Sequence, residues 1–174
     1  MDVVIEGHGQ EFKQHFRNML NEIDALLKEE ADQECAARLR CLAENLLIYS
    51  HSHTLLELPA DKLLMLLRKF LKFLSSRKTP INVGSFQSGA SDKCYLLVNV
   101  PDAPYLVDSL NMLFQELNER ATIIAHPILT LVRKAGKIIE MQRGEGGGNY
   151  ESVMLIDIDR CLAKDDELLE RIRE

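Results

Sequence analysis

The chain has 174 residues, 46% of them hydrophobic and 28% charged, which is the composition of a soluble globular protein with a sizeable core. Its net charge of −6 argues against broad binding to nucleic acid or anionic membranes, because both favour basic surfaces. No apolar run approaches the roughly 20 residues of a membrane-spanning helix, and the N-terminal MDVVIEGHGQ has no basic residue, unlike a signal peptide.

The first part of the chain has helical periodicity. Between Glu11 and Glu29 the apolar residues recur at gaps of three and four, which predicts a helix with one buried face. Asp32 is placed to N-cap a second helix, and Pro59 fits the first turn of a third, which continues through LLMLLRKFLKFL. We therefore predict a helical N-terminal segment over residues 1–78.

The pattern changes to strands near Thr79. INVGSF alternates, and CYLLVNV is continuous enough to be a strand that is buried on both faces. TIIAHPILTLVRK and KIIEMQ flank Ala135-Gly136, which predicts a hairpin. In SVMLIDID, period 2 favours the face of Met154, Ile156 and Ile158 as the core side.

Two helical patterns complete this region, one after Pro-Asp-Ala-Pro and one over Asp165–Arg173. The order strand, turn, helix, strands, helix predicts an α+β sandwich of the ferredoxin type over residues 79–174. The last helical pattern is still running at Glu174, which favours a piece of a longer chain.

The Pro-Asp-Ala-Pro turn joins a strand to a helix. We expect Asp102 to sit where the helix begins and to accept hydrogen bonds from its first free N–H groups. Pro104 is expected within the first turn, where its missing N–H costs nothing. The same free donors could also hold a small anion, so the residues leave capping and ligand binding open.

Other motifs are weaker. GEGGG fails as a nucleotide loop because its sixth position is Asn149 and a strand follows. His51 and His53 lack a third ligand at a suitable spacing, so no metal site is predicted. The four cysteines have no CxxC pair, which favours buried thiols in a reducing cytoplasm over disulfides. No catalytic set can be nominated.

DAPYLVDSL resembles the strand-to-helix turn of ACT regulatory domains. Four blocks in order, FLSSRKTPINVGSF, PYLVDS, AHPILTLVR and ESVMLIDIDR, further resemble the N-terminal region of the large bacterial NAD-specific glutamate dehydrogenases. The resemblance covers roughly residues 77–160. It implies an ACT-like fold in a non-catalytic segment of an enzyme that oxidatively deaminates L-glutamate to 2-oxoglutarate and ammonia.

The resemblance also implies site residues and partners. Its candidate effector site consists of Asp102, Ala103, Pro104, Tyr105, Asp108 and Ser109, and its motif residues with a structural role are His126, Pro127, Glu151 and Ser152. No cofactor is expected in this segment, whereas NAD is expected for the full-length enzyme. Expected partners are the downstream catalytic region, further copies of the chain and an amino-acid effector, with no nucleic acid or membrane.

Two roles remain open, a regulatory sensor and an assembly module of the dehydrogenase. Tyr105 stands where many ligand-binding ACT domains have glycine. This favours assembly as the main role of the segment and regulation as its second role. The alternative is a stand-alone ACT-type protein that senses amino acids.

Overall fold

The computed structural model describes residues 9–50, 53–87, 94–135, 137–144, 150–159 and 167–173. Three helices come first: α1 Gln10–Leu27, α2 Gln33–Ile48 and α3 Ala60–Ser75. A strand-rich region follows: β1 Asn82–Gln87, β2 Cys94–Pro101, α4 Leu106–Glu116, β3 Ala121–Ala125, β4 Ile128–Lys134, β5 Lys137–Arg143, β6 Tyr150–Ile158 and α5 Glu167–Arg173.

The predicted starts of the N-terminal helices agree with the structure. The Asp32 carboxylate accepts a hydrogen bond from the Cys35 backbone N–H at 2.9 Å and so caps α2. Pro59 immediately precedes α3, and its carbonyl accepts bonds from the backbone of Lys62 and Leu63. In α1 the apolar stripe is buried except for Leu26.

The described strands form one antiparallel sheet in the order β1-β2-β6-β4-β5, and β3 also pairs with β6. Because β2 and β3 are both antiparallel to β6, they run in the same direction, and α4 crosses over between them. This strand–helix–strand unit with a strand inserted between its members is the ferredoxin-type arrangement. The predicted α+β fold with a mainly antiparallel sheet is confirmed.

The segment TIIAHPILTLVRK forms two strands, so the prediction of one long strand is wrong. The chain leaves the ladder at His126 and Pro127, because proline has no N–H to donate. The His126 backbone N–H reaches across to the Tyr49 carbonyl instead, at 3.3 Å. The Pro127 carbonyl accepts a hydrogen bond from the Val153 backbone N–H at 3.0 Å, which ties this bend to β6.

Both faces of the sheet are covered, which the alternation in β6 alone did not indicate. Val153 and Leu155 pack in a large apolar cluster with α1, α2 and α3. Met154 and Ile156, on the opposite face, pack with α4 and α5. The sheet is therefore the middle of three layers, and the division into residues 1–78 and 79–174 stays a prediction.

The described cysteines differ in whether they form a disulfide. Cys35 and Cys41 are free, but Cys94 is disulfide-bonded, so the prediction of four thiols is wrong. Spacing along the chain does not tell which cysteines a fold brings within bonding distance. Cys161, His51, Gly136, residues 88–93 and residues 145–149, which include most of the GEGGGN sequence, lie outside the described residues.

Candidate functional site

The turn between β2 and α4 differs from the predicted helix cap. Helix α4 begins at Leu106 with Tyr105 as its N-cap, and no side chain caps it. Asp102 lies further back, where its backbone N–H donates to the Tyr150 carbonyl at 2.9 Å. Pro104 also precedes the helix. The expected capping by Asp102 is wrong, because the turn is longer than predicted.

Tyr105 has a backbone conformation that usually belongs to glycine. Its φ of 65° and ψ of 11° are left-handed, and its side chain is 78% exposed. A β-carbon in this region costs about 1–2 kcal/mol. At the other end of α4, Asn118 has a φ of 53°, the left-handed conformation that glycine or asparagine commonly adopts after a helix.

Asp102, Ser152 and His126 form one hydrogen-bonded chain. The Ser152 hydroxyl donates to Asp102 Oδ1 at 2.6 Å, and His126 Nε2 lies 3.1 Å from the same hydroxyl oxygen. A serine hydroxyl has a single proton, so His126 Nε2 must be the donor to Ser152. This chain links the β2–α4 turn, β6 and the bend between β3 and β4.

This arrangement is not a nucleophilic triad. Ser152 is completely buried, and its proton is held by a carboxylate rather than by the imidazole. In a serine hydrolase the imidazole must accept the proton of the nucleophile. The three side chains therefore fix the turn to the sheet.

A second polar cluster lies on the face of the sheet that is covered by α1–α3. Arg77, just after α3, places Nη1 2.6 Å from Glu151 Oε2. Arg133 on β4 contacts both oxygens of the same carboxylate, with Nη2 3.0 Å from Oε2. Asn99 on β2 donates from Nδ2 to Glu151 Oε2 at 2.8 Å.

The cluster has two guanidinium groups for one carboxylate. Asn99 Oδ1 accepts from Arg77 and Arg133 at 3.4 and 3.3 Å, which compensates part of the excess positive charge. Arg133 Nε is buried without a hydrogen-bond partner within the described residues. The cluster joins the end of α3 to three strands and so fixes the helical layer on the sheet.

Glu151 and Ser152 are neighbours, yet they belong to different clusters. Successive side chains of a strand point to opposite faces, so Glu151 meets the arginines and Ser152 meets the β2–α4 turn. This geometry explains why an acid and a small hydroxyl residue stand side by side in an otherwise apolar strand.

A cavity of about 640 Å³ lies between α4, α5 and the sheet. Among the candidate effector residues, Ala103 and Ser109 line it, whereas Asp102, Pro104, Tyr105 and Asp108 do not. The lining residues are Pro80, Ile81, Val98, Val100, Pro101, Ala103, Leu106, Ser109, Leu110, Leu113, Met154, Arg171 and Ile172.

Three residues of the polar clusters were not among the sequence candidates: Arg77, Asn99 and Arg133. Asn99 and Arg133 each interrupt an apolar strand, in LLVNV and LTLVRK. A polar residue at a buried strand position must find a partner, and that pattern could have identified both. Arg77 has no comparable pattern, because a cation at the end of a helix is ordinary.

The described residues offer neither a metal centre nor a membrane-spanning helix. They contain no group of three or more metal-ligating side chains. They also contain no helix with the length and apolarity that crossing a bilayer requires.

The helical layer, the antiparallel sheet and the helix that crosses between parallel strands define an α+β protein of the ACT-like class. A family model described as the glutamate dehydrogenase ACT1 domain matches residues 42–174, more than half of the chain, and the chain belongs to this family. This confirms the predicted resemblance to the N-terminal ACT-like region of a glutamate dehydrogenase. No curated protein matches the chain, and no solved structure matches it.

Proposed function

We propose that the chain is the non-catalytic N-terminal regulatory and assembly region of an NAD-specific glutamate dehydrogenase. The full-length enzyme would oxidatively deaminate L-glutamate to 2-oxoglutarate and ammonia with NAD, in the cytoplasm. The family match carries this proposal. The polar clusters support a non-catalytic role, because their hydrogen bonds are directed at one another and they connect layers of the fold.

Assembly is supported by the edge of the sheet at β5. In the described part of the chain β5 pairs only with β4. Ile128, Val132 and Ile139 on this hairpin are between about a third and a half exposed. An open edge with apolar neighbours is a surface on which another chain can dock. The occupant would be a second copy or the downstream catalytic region.

The test of this proposal is the reading frame beyond Glu174. We expect it to encode a dehydrogenase region, and we expect the longer protein to reduce NAD in the presence of L-glutamate. The same assay with NADP measures the cofactor preference. Activity with NADP alone would contradict the NAD specificity, and a frame without a catalytic region would contradict the parentage.

A stand-alone ACT-type sensor of amino acids is the alternative function, and it is supported by the family match, which covers the ACT1 domain alone. In that case the reading frame would end close to Glu174, and an amino acid would bind saturably to the chain. Titration with a panel of amino acids distinguishes the two functions.

A further inference from the structure

The cavity beside α4 has the size and walls of a small-molecule site. Such sites typically enclose about 300–1,000 Å³ and are mainly apolar with a few polar groups, and this cavity has about 640 Å³. Its walls are mostly aliphatic side chains and prolines from β2, α4, β6 and α5. The cavity opens to solvent beside exposed residues such as Ala103 and Ser109, so a small molecule can enter it.

Ser109 and Arg171 supply the polar side chains of the described lining. Arg171 Nη2 donates to both carboxylate oxygens of Glu116, at 3.2 and 3.4 Å. The Arg171 and Glu116 side chains are 38% and 63% exposed, and ion pairs of this kind contribute about 0–1 kcal/mol. The pair with Glu116 is therefore weak enough for the carboxylate of a ligand to compete with Glu116 for Arg171.

We propose that this cavity binds a small molecule with an apolar body and a single carboxylate. The apolar body lies against β2 and α4, and the carboxylate meets Arg171. The inference names the ligand class of the regulatory region, and its biological role rests on the proposed function.

The same walls discriminate against free amino acids. A ligand ammonium group would need a carboxylate or another acceptor, and the described lining contains no acidic side chain. An ammonium group that is partly withdrawn from water without such a partner is disfavoured. Glutamate would bring a second carboxylate as well. The ligand of this cavity is therefore chemically different from the substrate of the proposed parent enzyme.

Calorimetric titration of the 174-residue chain with hexanoate tests the inference. We expect saturable binding at one site, binding of the uncharged hexanamide about two- to fivefold weaker, as an ion pair to the exposed Arg171 allows, and no binding of L-glutamate. Absence of saturable hexanoate binding, or equal affinity for hexanoate and L-glutamate, would overturn the inference.

Variants locate the site. Ala103→Phe, at an exposed wall residue, should block the cavity and abolish hexanoate binding, whereas Ala37→Phe on the exposed face of α2 should leave it unchanged. Arg171→Gln keeps a polar stem and removes the charge, so hexanoate and hexanamide should bind about equally. Hexanoate binding that survives Ala103→Phe, or a preference for hexanoate that survives Arg171→Gln, would overturn the assignment.

A second copy could occupy the cavity instead. Sedimentation would then show a dimer that Ala103→Phe dissociates, and this result would also overturn the inference. A reading frame without a dehydrogenase region would contradict only the proposed function, because hexanoate binding is measured on the chain itself. The two failures are therefore distinguishable.

Discussion

The two faces of the sheet differ in how completely they are covered. On one face, α1, α2 and α3 form a continuous apolar layer with strand residues such as Leu97 and Val153. The buried ion cluster around Glu151 lies at the end of this layer. On the other face, α4 and the shorter α5 cover Val98 and Met154 and leave a cavity of about 640 Å³.

This difference separates a structural face from a face with room for a ligand. The ion cluster around Glu151 connects the layers and is largely removed from water. The corresponding acid–base pair on the other face, Glu116 and Arg171, is exposed. The same pair of residue types therefore has different roles, and the following experiments test that contrast.

The largest effect is expected for Glu151→Ala. It would leave Arg77 and Arg133 facing each other without their carboxylate, and breaking a buried pair costs about 3–5 kcal/mol. Urea unfolding measures the loss. The matched control is Glu116→Ala, which removes the exposed partner of Arg171 and should change stability by less than about 1 kcal/mol. Similar losses in both variants would refute the contrast between the faces.

Leucine truncations should give the next largest effect. Leu97→Ala opens a new void in the closely packed face, and we expect a loss of about 3–5 kcal/mol. Leu110→Ala enlarges a cavity that already exists, so less packing is lost, and we expect about 2 kcal/mol. The midpoints of urea unfolding compare the two variants. A larger loss for Leu110→Ala would mean that the cavity wall is packed as tightly as the opposite face.

Much of this architecture could be predicted from the sequence, because hydrophobic periodicity is local. The stripe of α1, the cap of α2 by Asp32 and the doubly buried β2 all follow from residues a few positions apart. The missing N–H of Pro127 was visible in the sequence, but it did not indicate that the strand would divide in two.

The polar clusters could not be predicted in the same way. Arg77 and Glu151 are far apart in sequence, and only the packing of α3 on the sheet brings them to 2.6 Å. Asp102 was expected to cap α4, but the nearby Ser152 hydroxyl holds its carboxylate instead. The cavity is also a property of how α4 and α5 pack, which no local pattern encodes. Motif resemblance singled out His126 and Ser152 without indicating that they bond to each other.

Tyr105→Gly should raise stability by up to about 1 kcal/mol. Glycine adopts the left-handed backbone without the penalty of a β-carbon, although its more flexible unfolded state offsets part of the gain. Tyr105→Ala keeps the β-carbon and should change stability by less than about 0.5 kcal/mol, because the ring is largely exposed. Thermal unfolding of both variants measures the difference. A loss on Tyr105→Gly would mean that the ring makes contacts that outweigh the strain.

The smallest effect concerns Cys41, on the closely packed face. Burial raises the pKa of its thiol above the ordinary value of 9.0, and its Sγ donates to the Met141 carbonyl at 3.4 Å. The unfolded chain loses this proton above about pH 9, whereas the folded chain keeps it to a higher pH. The thiol's contribution to stability is therefore complete below about pH 9 and is lost as the pH rises through the higher folded pKa. Between pH 8 and pH 10, the free energy of unfolding should therefore fall more steeply in the wild type than in Cys41→Ser, whose hydroxyl does not titrate. Parallel pH profiles in urea unfolding would show that water reaches Cys41 and that this face is less tightly closed than its packing indicates.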